Sequence, residues 1–141
     1  RLNQPGCQTD ILATRAEMIG AKLPHDAAED SFSFLSELKG GAGGLEKILI
    51  HHSSNGRFAI RKGCWKLILP KGKESCELYD LNLDPSESIE LSKKYPKVVQ
   101  DLRAEFSKAI LNGRSTSGKT LQNDTPIWSD VAHLVIQYSK K

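Results

Sequence analysis

Two adjacent imidazoles, His51 and His52, are the side chains of this chain best suited to acid–base or metal chemistry, because imidazole titrates near neutrality and ligates divalent metals. Their spacing argues against a shared ion. Successive side chains of a strand point to opposite faces, so both rings reach one metal only if the strand has already ended. No Asp, Glu or Cys stands close enough in sequence to complete a ligand set, and His25 and His133 lie in unrelated segments. No metal ligand is assigned, and His51 and His52 are left as either a polar strand end or contacts to a ligand. No catalytic residue is assigned either. Ser53 and Ser54 fall in a turn without a Gly-x-Ser-x-Gly elbow. Gly40-Gly41-Ala42-Gly43-Gly44 lacks the Lys-Ser/Thr of a phosphate loop and reads as a hinge.

Arg57, Arg61, Lys62, Lys66, Lys71 and Lys73 make one stretch locally basic, able to attract sulfate, phosphate or nucleic acid. An RNA-binding sheet displays paired aromatics in a ribonucleoprotein signature, whereas Phe58 and Trp65 here serve a core; nucleic acid is not an expected partner. Cys7, Cys64 and Cys76 are too few for a disulfide scaffold. None of them precedes an x-Pro-x-Arg sequence.

The elements that must position these side chains follow from periodicity. Thr9-Asp10 before Ile11, Leu12, Ala16 and Ile19, with Gly20 after them, predicts a short helix. Ile48–Ile50 predicts a strand, Ser53–Gly56 a turn, and the alternation through Phe58 and Ile60 a second strand. A two-residue turn at Lys62-Gly63 would set Ile60 against Trp65 and Phe58 against Leu67, gathering the large apolar side chains on one face. Glu77–Leu81 predicts a further strand, with Cys76 opposite a residue near Leu69 and so out of reach of Cys64. Pro96, then Val99, Leu102, Phe106 and Ile110, and finally Gly113 predict an amphipathic helix that covers the apolar sheet face. The last dozen residues carry Val131, Leu134, Val135 and Ile136 with little periodicity and receive no assignment.

The expected fold is therefore α+β, a small antiparallel sheet of three or four strands covered by a C-terminal helix. The 141 residues, at 38% hydrophobic, 26% charged and net +3, accommodate one globular domain and no polybasic tail. No apolar run approaches the roughly 20 residues that cross a bilayer, so no membrane partner is expected. Arg1 is not a translational start and no signal-peptide order follows it, which points to a fragment or a processed chain.

The order of motifs resembles the C-terminal region of the formylglycine-dependent sulfatases, the arylsulfatase family, over about residues 2–127. Gln8-Thr9-Asp10-Ile11-Leu12-Ala13-Thr14 and Ile19-Gly20-Ala21-Lys22-Leu23-Pro24 resemble the family's helix and following Leu-Pro, and Glu29-Asp30-Ser31-Phe32-Ser33-Phe34-Leu35 resembles its Asp-Ser-x-Ser loop. His51-His52-Ser53 with Asn55-Gly56-Arg57-Phe58-Ala59-Ile60-Arg61-Lys62-Gly63 and Trp65-Lys66-Leu67 is the most specific stretch. Leu78-Tyr79-Asp80-Leu81, Asp84-Pro85-x-Glu87 and Asn112-Gly113-Arg114-Ser115-Thr116 complete it. Cys64 and Glu90 depart from the pattern, where a polar residue and Asn are usual.

The resemblance implies the C-terminal subdomain of an alkaline-phosphatase-like α/β sulfatase. Residues 1–44 would end the catalytic domain, 45–116 form the sheet-and-helix subdomain, and 117–141 make an irregular tail. It implies hydrolysis of sulfate monoesters, sulfated sugars among them, by a formylglycine nucleophile beside calcium. Both reside in an N-terminal sulfatase domain missing from this chain, so the chain alone is expected to be inactive. His51 and His52 would contact the sulfated small molecule or glycan. Residence would be periplasmic or secreted, or lysosomal in a eukaryote. The alternative is a stand-alone anion-binding or interaction module derived from that subdomain. The helix around Ile11–Ile19 is expected to pack on the missing domain, leaving residues before Gly44 mobile or misplaced in the isolated chain.

Overall fold

A computed structural model describes residues 5–41, 47–122 and 129–136; the expected hinge at Gly43-Gly44 and the expected boundary at 44 lie outside the described residues. Four strands, β1 (Ile48–His52), β2 (Phe58–Lys62), β3 (Trp65–Ile68) and β4 (Glu77–Asp80), form one antiparallel sheet in the order β1-β2-β3-β4. The order follows from chain economy, since each strand returns beside its predecessor through a short loop.

The register differs from expectation by one step. Ile60 pairs with Leu67 and Lys62 with Trp65, so the turn is Gly63-Cys64 rather than Lys62-Gly63. Gly63 has φ 57°, as the first turn position of a II′-type hairpin requires, and Lys62 is spared a conformation that Cβ disfavours. The face assignment survives, because moving the turn by one residue shifts the pairing sum by two and leaves the pleat parity unchanged. One face carries Ile48, Ile50, Phe58, Ile60, Trp65, Leu67, Leu69 and Leu78 in or against the core. Ile68 pairs with Glu77, which continues to Leu69 opposite Cys76, and none of the three cysteines forms a disulfide among the described residues.

Helix α3 (Pro96–Asn112) covers that face. Proline at its first position and Gly113 at φ 64° beyond its end are its start and stop signals. Its apolar stripe buries Val99, Leu102, Phe106 and Ala109, and Phe106 meets Phe58 edge-on at 5.8 Å between ring centroids. Where an irregular tail is expected, Ser129–Ile136 form a helix, here α4, that buries Val131, Leu134 and Val135 in the same core. Eight residues with valine among them signal a helix weakly on their own; docking on the core sustains it.

The short helices α1 (Asp10–Met18) and α2 (Leu35–Leu38) lie on the N-terminal side of the sequence. Helix α1 is inverted relative to an ordinary surface helix. It buries Asp10, Thr14 and Ala16 and leaves Ile11, Leu12, Met18 and Ile19 between 45% and 79% exposed. Thr9 is the N-cap of α1 and Asp10 its first residue. Asp10 is fully buried, accepting from the backbone N–H groups of Cys7 and Phe32 and from Lys47 Nζ at 2.5 Å. Further polar contacts join this segment to the end of α3: Ser115 N–H donates to Asp30, Thr116 Oγ1 to the Glu29 carbonyl and Arg114 to the His25 carbonyl. The N-terminal segment is thus held by polar bonds to Lys47, just before β1, and to residues 114–116, just after α3.

Candidate functional site

Strand β1 ends on the two histidines, and its pleat separates them. His51 pairs with Ala59 and points to the sheet face opposite α3; His52 pairs with Phe58 on the helix side and stacks on that ring at 4.3 Å. The strand alternation read from the sequence therefore holds to its last residue: the two side chains leave opposite faces of the sheet, although both residues line the hollow described next.

The open face carries a hollow of about 490 Å³. His51, Arg61 and Lys66 line it with Glu87, while the 53–57 turn forms one wall. Ser53 is confirmed as a turn residue: its hydroxyl donates to the Arg57 carbonyl and accepts from the Arg57 N–H. Arg57 is committed to structure, donating to Glu77 at 2.7 Å and to the carbonyls of Leu69 and Ser75. Tyr79 donates to the other Glu77 oxygen, and that bond, with burial, pushes the Tyr79 hydroxyl up to about 12. Partial burial, then the charges of Lys66 and Arg61, hold the His51 imidazole below its ordinary range. His51 is thus a neutral hydrogen-bonding group at pH 7 between two fixed cations.

Glu87 was not foreseeable as part of this site. It lies seven residues beyond β4, in a turn built by Asp84, whose carboxylate accepts from the N–H groups of Ser88 and Ile89 and from Ser86 Oγ. Those bonds hold Glu87 at φ 55° and aim it back over the sheet, where both of its oxygens accept from Lys66 Nζ at 2.6 and 2.8 Å. A left-handed non-glycine residue costs of order 1–2 kcal/mol, which the surrounding bonds must offset. The Asp-Pro-x-Glu string signals the turn, but nothing in it says which strand residue the Glu meets.

A second hollow of about 360 Å³ lies between the N-terminal segment and the end of α3, with Cys7, Asp30, His52 and Arg114 among its walls. Its polar groups are largely engaged with one another, as in the Ser115–Asp30 and Arg114–Thr116 bonds.

Among the described residues, no three His, Cys, Asp or Glu side chains converge as metal donors. Nor does any Cys or Ser in the 141 residues precede x-Pro-x-Arg. The described residues thus do not fit calcium, and the sequence has no residue that fits the formylglycine motif. No helix among the described residues is long and apolar enough to cross a membrane.

No family model matches the chain. It is 35% identical over 109 residues to an N-acetylgalactosamine-6-O-sulfatase of Bacteroides thetaiotaomicron, a match that covers 67% of this chain and 21% of that protein. Over that stretch the chain is homologous to sulfatases. A solved structure from work on the metabolism of multiple glycosaminoglycans by Bacteroides thetaiotaomicron superposes with a TM-score of 0.60 at 32% identity, covering 72% of this chain and 24% of that one. A 2-O GAG sulfatase superposes with a TM-score of 0.57 at 25% identity and the same coverages. The chain thus spans about a fifth of the curated sulfatase it matches and about a quarter of the solved ones. The four-stranded sheet with its covering helix belongs to that shared fold.

Proposed function

We propose that this chain is the C-terminal sheet-and-helix part of a sulfatase that hydrolyses sulfate monoesters on sugars. The observation that carries the reading is the 35% identity to an N-acetylgalactosamine-6-O-sulfatase over 109 residues. The basic hollow beside His51 supports it, because it offers hydrogen-bonding and cationic groups of the kind that receive a sulfated sugar. In this reading residues 1–44 close the catalytic domain, 45–116 form the C-terminal subdomain and 117–141 follow it.

The N-terminal sulfatase domain is the partner, and the outward side chains of α1 are the surface it covers. Three such side chains left in water forgo roughly 5–9 kcal/mol at about 1.5–3 each. Formylglycine and calcium belong to that domain, so this chain alone is inactive. His51 contacts the sulfated ligand at the mouth of the joined site, while His52, stacked on Phe58, lies at its rim. Residence is periplasmic or secreted.

The test is the coding sequence upstream of Arg1. An in-frame Cys/Ser-x-Pro-x-Arg motif and an Asp-Asp pair are expected. Their absence would leave a stand-alone anion-binding module in place of a hydrolase part. In the complete enzyme, His51→Ala is expected to raise KM for the sulfated sugar while the fold is retained. An unchanged KM would remove His51 from the site.

A further inference from the structure

The six basic residues of the hairpin region differ in what already neutralises them. Arg57 is held by Glu77 and Glu74, Lys62 by Glu105 and Lys66 by Glu87, while Lys71 donates to the Asn55 carbonyl. Lys73 lies in the loop between β3 and β4, outside the residues that line the open-face hollow. Of the three cations that line the hollow, Arg57, Arg61 and Lys66, Arg61 is the one that meets no carboxylate among the described residues, and its described bond, Nε to the Gly63 carbonyl, is long at 3.4 Å.

Its position sharpens the contrast. Arg61 stands directly opposite Lys66 on the open face, and like charges in directly opposed cross-strand positions destabilise a sheet. The carboxylate at this hollow, Glu87, spends both oxygens on Lys66 and is fixed there from a left-handed backbone. A half-buried guanidinium therefore faces a hollow of about 490 Å³ beside His51, with the local counter-ion committed to its neighbour.

We infer that Arg61 recognises an oxyanion, a sulfate or carboxylate borne by a sugar, at this face, and that Glu87 sets the strength of binding by keeping Lys66 out of the site. The planar fork of Arg61 suits such a group, and the neutral His51 ring supplies a neighbouring hydrogen bond. The sugar part of this assignment rests on the sulfatase reading above; the oxyanion part rests on the hollow alone.

The experiment titrates the full 141-residue chain at low ionic strength with inorganic sulfate, N-acetylgalactosamine 6-sulfate and N-acetylgalactosamine, following amide shifts by NMR. Saturable shifts at Arg61 and His51 are expected with both anions, tighter for the sugar ester, and absent with the uncharged sugar. Arg61→Gln should weaken binding at least about tenfold. Glu87→Gln frees Lys66 and should tighten it about two- to fivefold, a change opposite in sign to any loss of folding. Binding by Arg61→Gln equal to the parent, weakening by Glu87→Gln, or no saturable shift with either anion would overturn the assignment. Inorganic sulfate binding as tightly as the sugar ester would overturn its sugar part. Because binding needs no catalytic domain, this outcome is independent of whether the upstream motif is found.

Discussion

The buried pair Asp10–Lys47 predicts how the N-terminal segment lets go. The two side chains are 0% and 7% exposed, and the pair links α1 to the residue just before β1. Burial pushes the Asp10 carboxyl up, but the Lys47 ammonium and the N–H groups of Phe32 and Cys7 outweigh it and hold the group below the usual carboxylate range. Asp10→Asn keeps the shape and removes the charge, leaving a buried lysine unpaired. Breaking a buried pair in this way costs about 3–5 kcal/mol.

That loss should stay local. Helix α1 buries Ala16 as its one apolar core contact and exposes Ile11, Leu12 and Ile19, so little hydrophobic energy resists its release. At about 1.4 kcal/mol per decade, amide hydrogen exchange across Asp10–Met18 should accelerate roughly 10²- to 4 × 10³-fold, or to the unprotected limit. Exchange at Ile60 and Leu67, central in the sheet, should be unchanged. The double variant Asp10→Asn/Lys47→Met removes both ends of the pair and should recover most of the protection. Equal acceleration in sheet and helix, or none in either, would refute the reasoning.

Other outcomes follow from single sites. Ser107 Oγ is buried in α3 with no hydrogen-bond partner among the described residues, so Ser107→Ala should stabilise the chain by about 1 kcal/mol in urea unfolding. Gly113→Ala meets both a φ of 64° and the Leu121 carbonyl oxygen 2.7 Å from the new Cβ, and should lower the melting temperature by a loss of about 1–2 kcal/mol. The depressed Asp10, Glu77 and Glu90 carboxyls contribute stability that is present above about pH 4 and lost as pH falls through their folded values; an acid titration followed by circular dichroism should show the decline there. Tyr79 has the opposite sign. Its contribution is complete below about pH 10 and lost as pH rises toward about 12, and ultraviolet titration should find one tyrosine ionising late.

The sheet and its main helix were legible because their signals are local. Pro96, the apolar stripe to Ile110 and Gly113 mark α3 at both ends, and alternation through Phe58, Ile60, Trp65 and Leu67 identifies the covered face even though the turn was placed one residue early. Helix α4 was not legible, because its stability comes from docking Val131, Leu134 and Val135 on a core assembled elsewhere in the chain.

The site was legible only by halves. Strand parity separates His51 from His52 before any coordinates are known, and the basic run around them is plain in the sequence. Which cation of the hollow stays unneutralised is not, because the answer depends on contacts across 20 or more residues: Arg57 to Glu77 and Lys66 to Glu87. The role of Asp10 is hidden for the same reason. A carboxylate at a helix start has the sequence signature of a cap, and only the arrival of Lys47, 37 residues on, turns it into a buried ion pair.

The most direct test of the central claim joins this chain to the catalytic portion of the Bacteroides N-acetylgalactosamine-6-O-sulfatase, in place of the segment it matches, and measures sulfate release from N-acetylgalactosamine 6-sulfate. The joined protein should release sulfate, the 141-residue chain alone should release none, and His51→Ala in the joined protein should fall between them. Release by the chain alone would contradict the account, as would a folded joined protein that binds the sugar ester and leaves it intact.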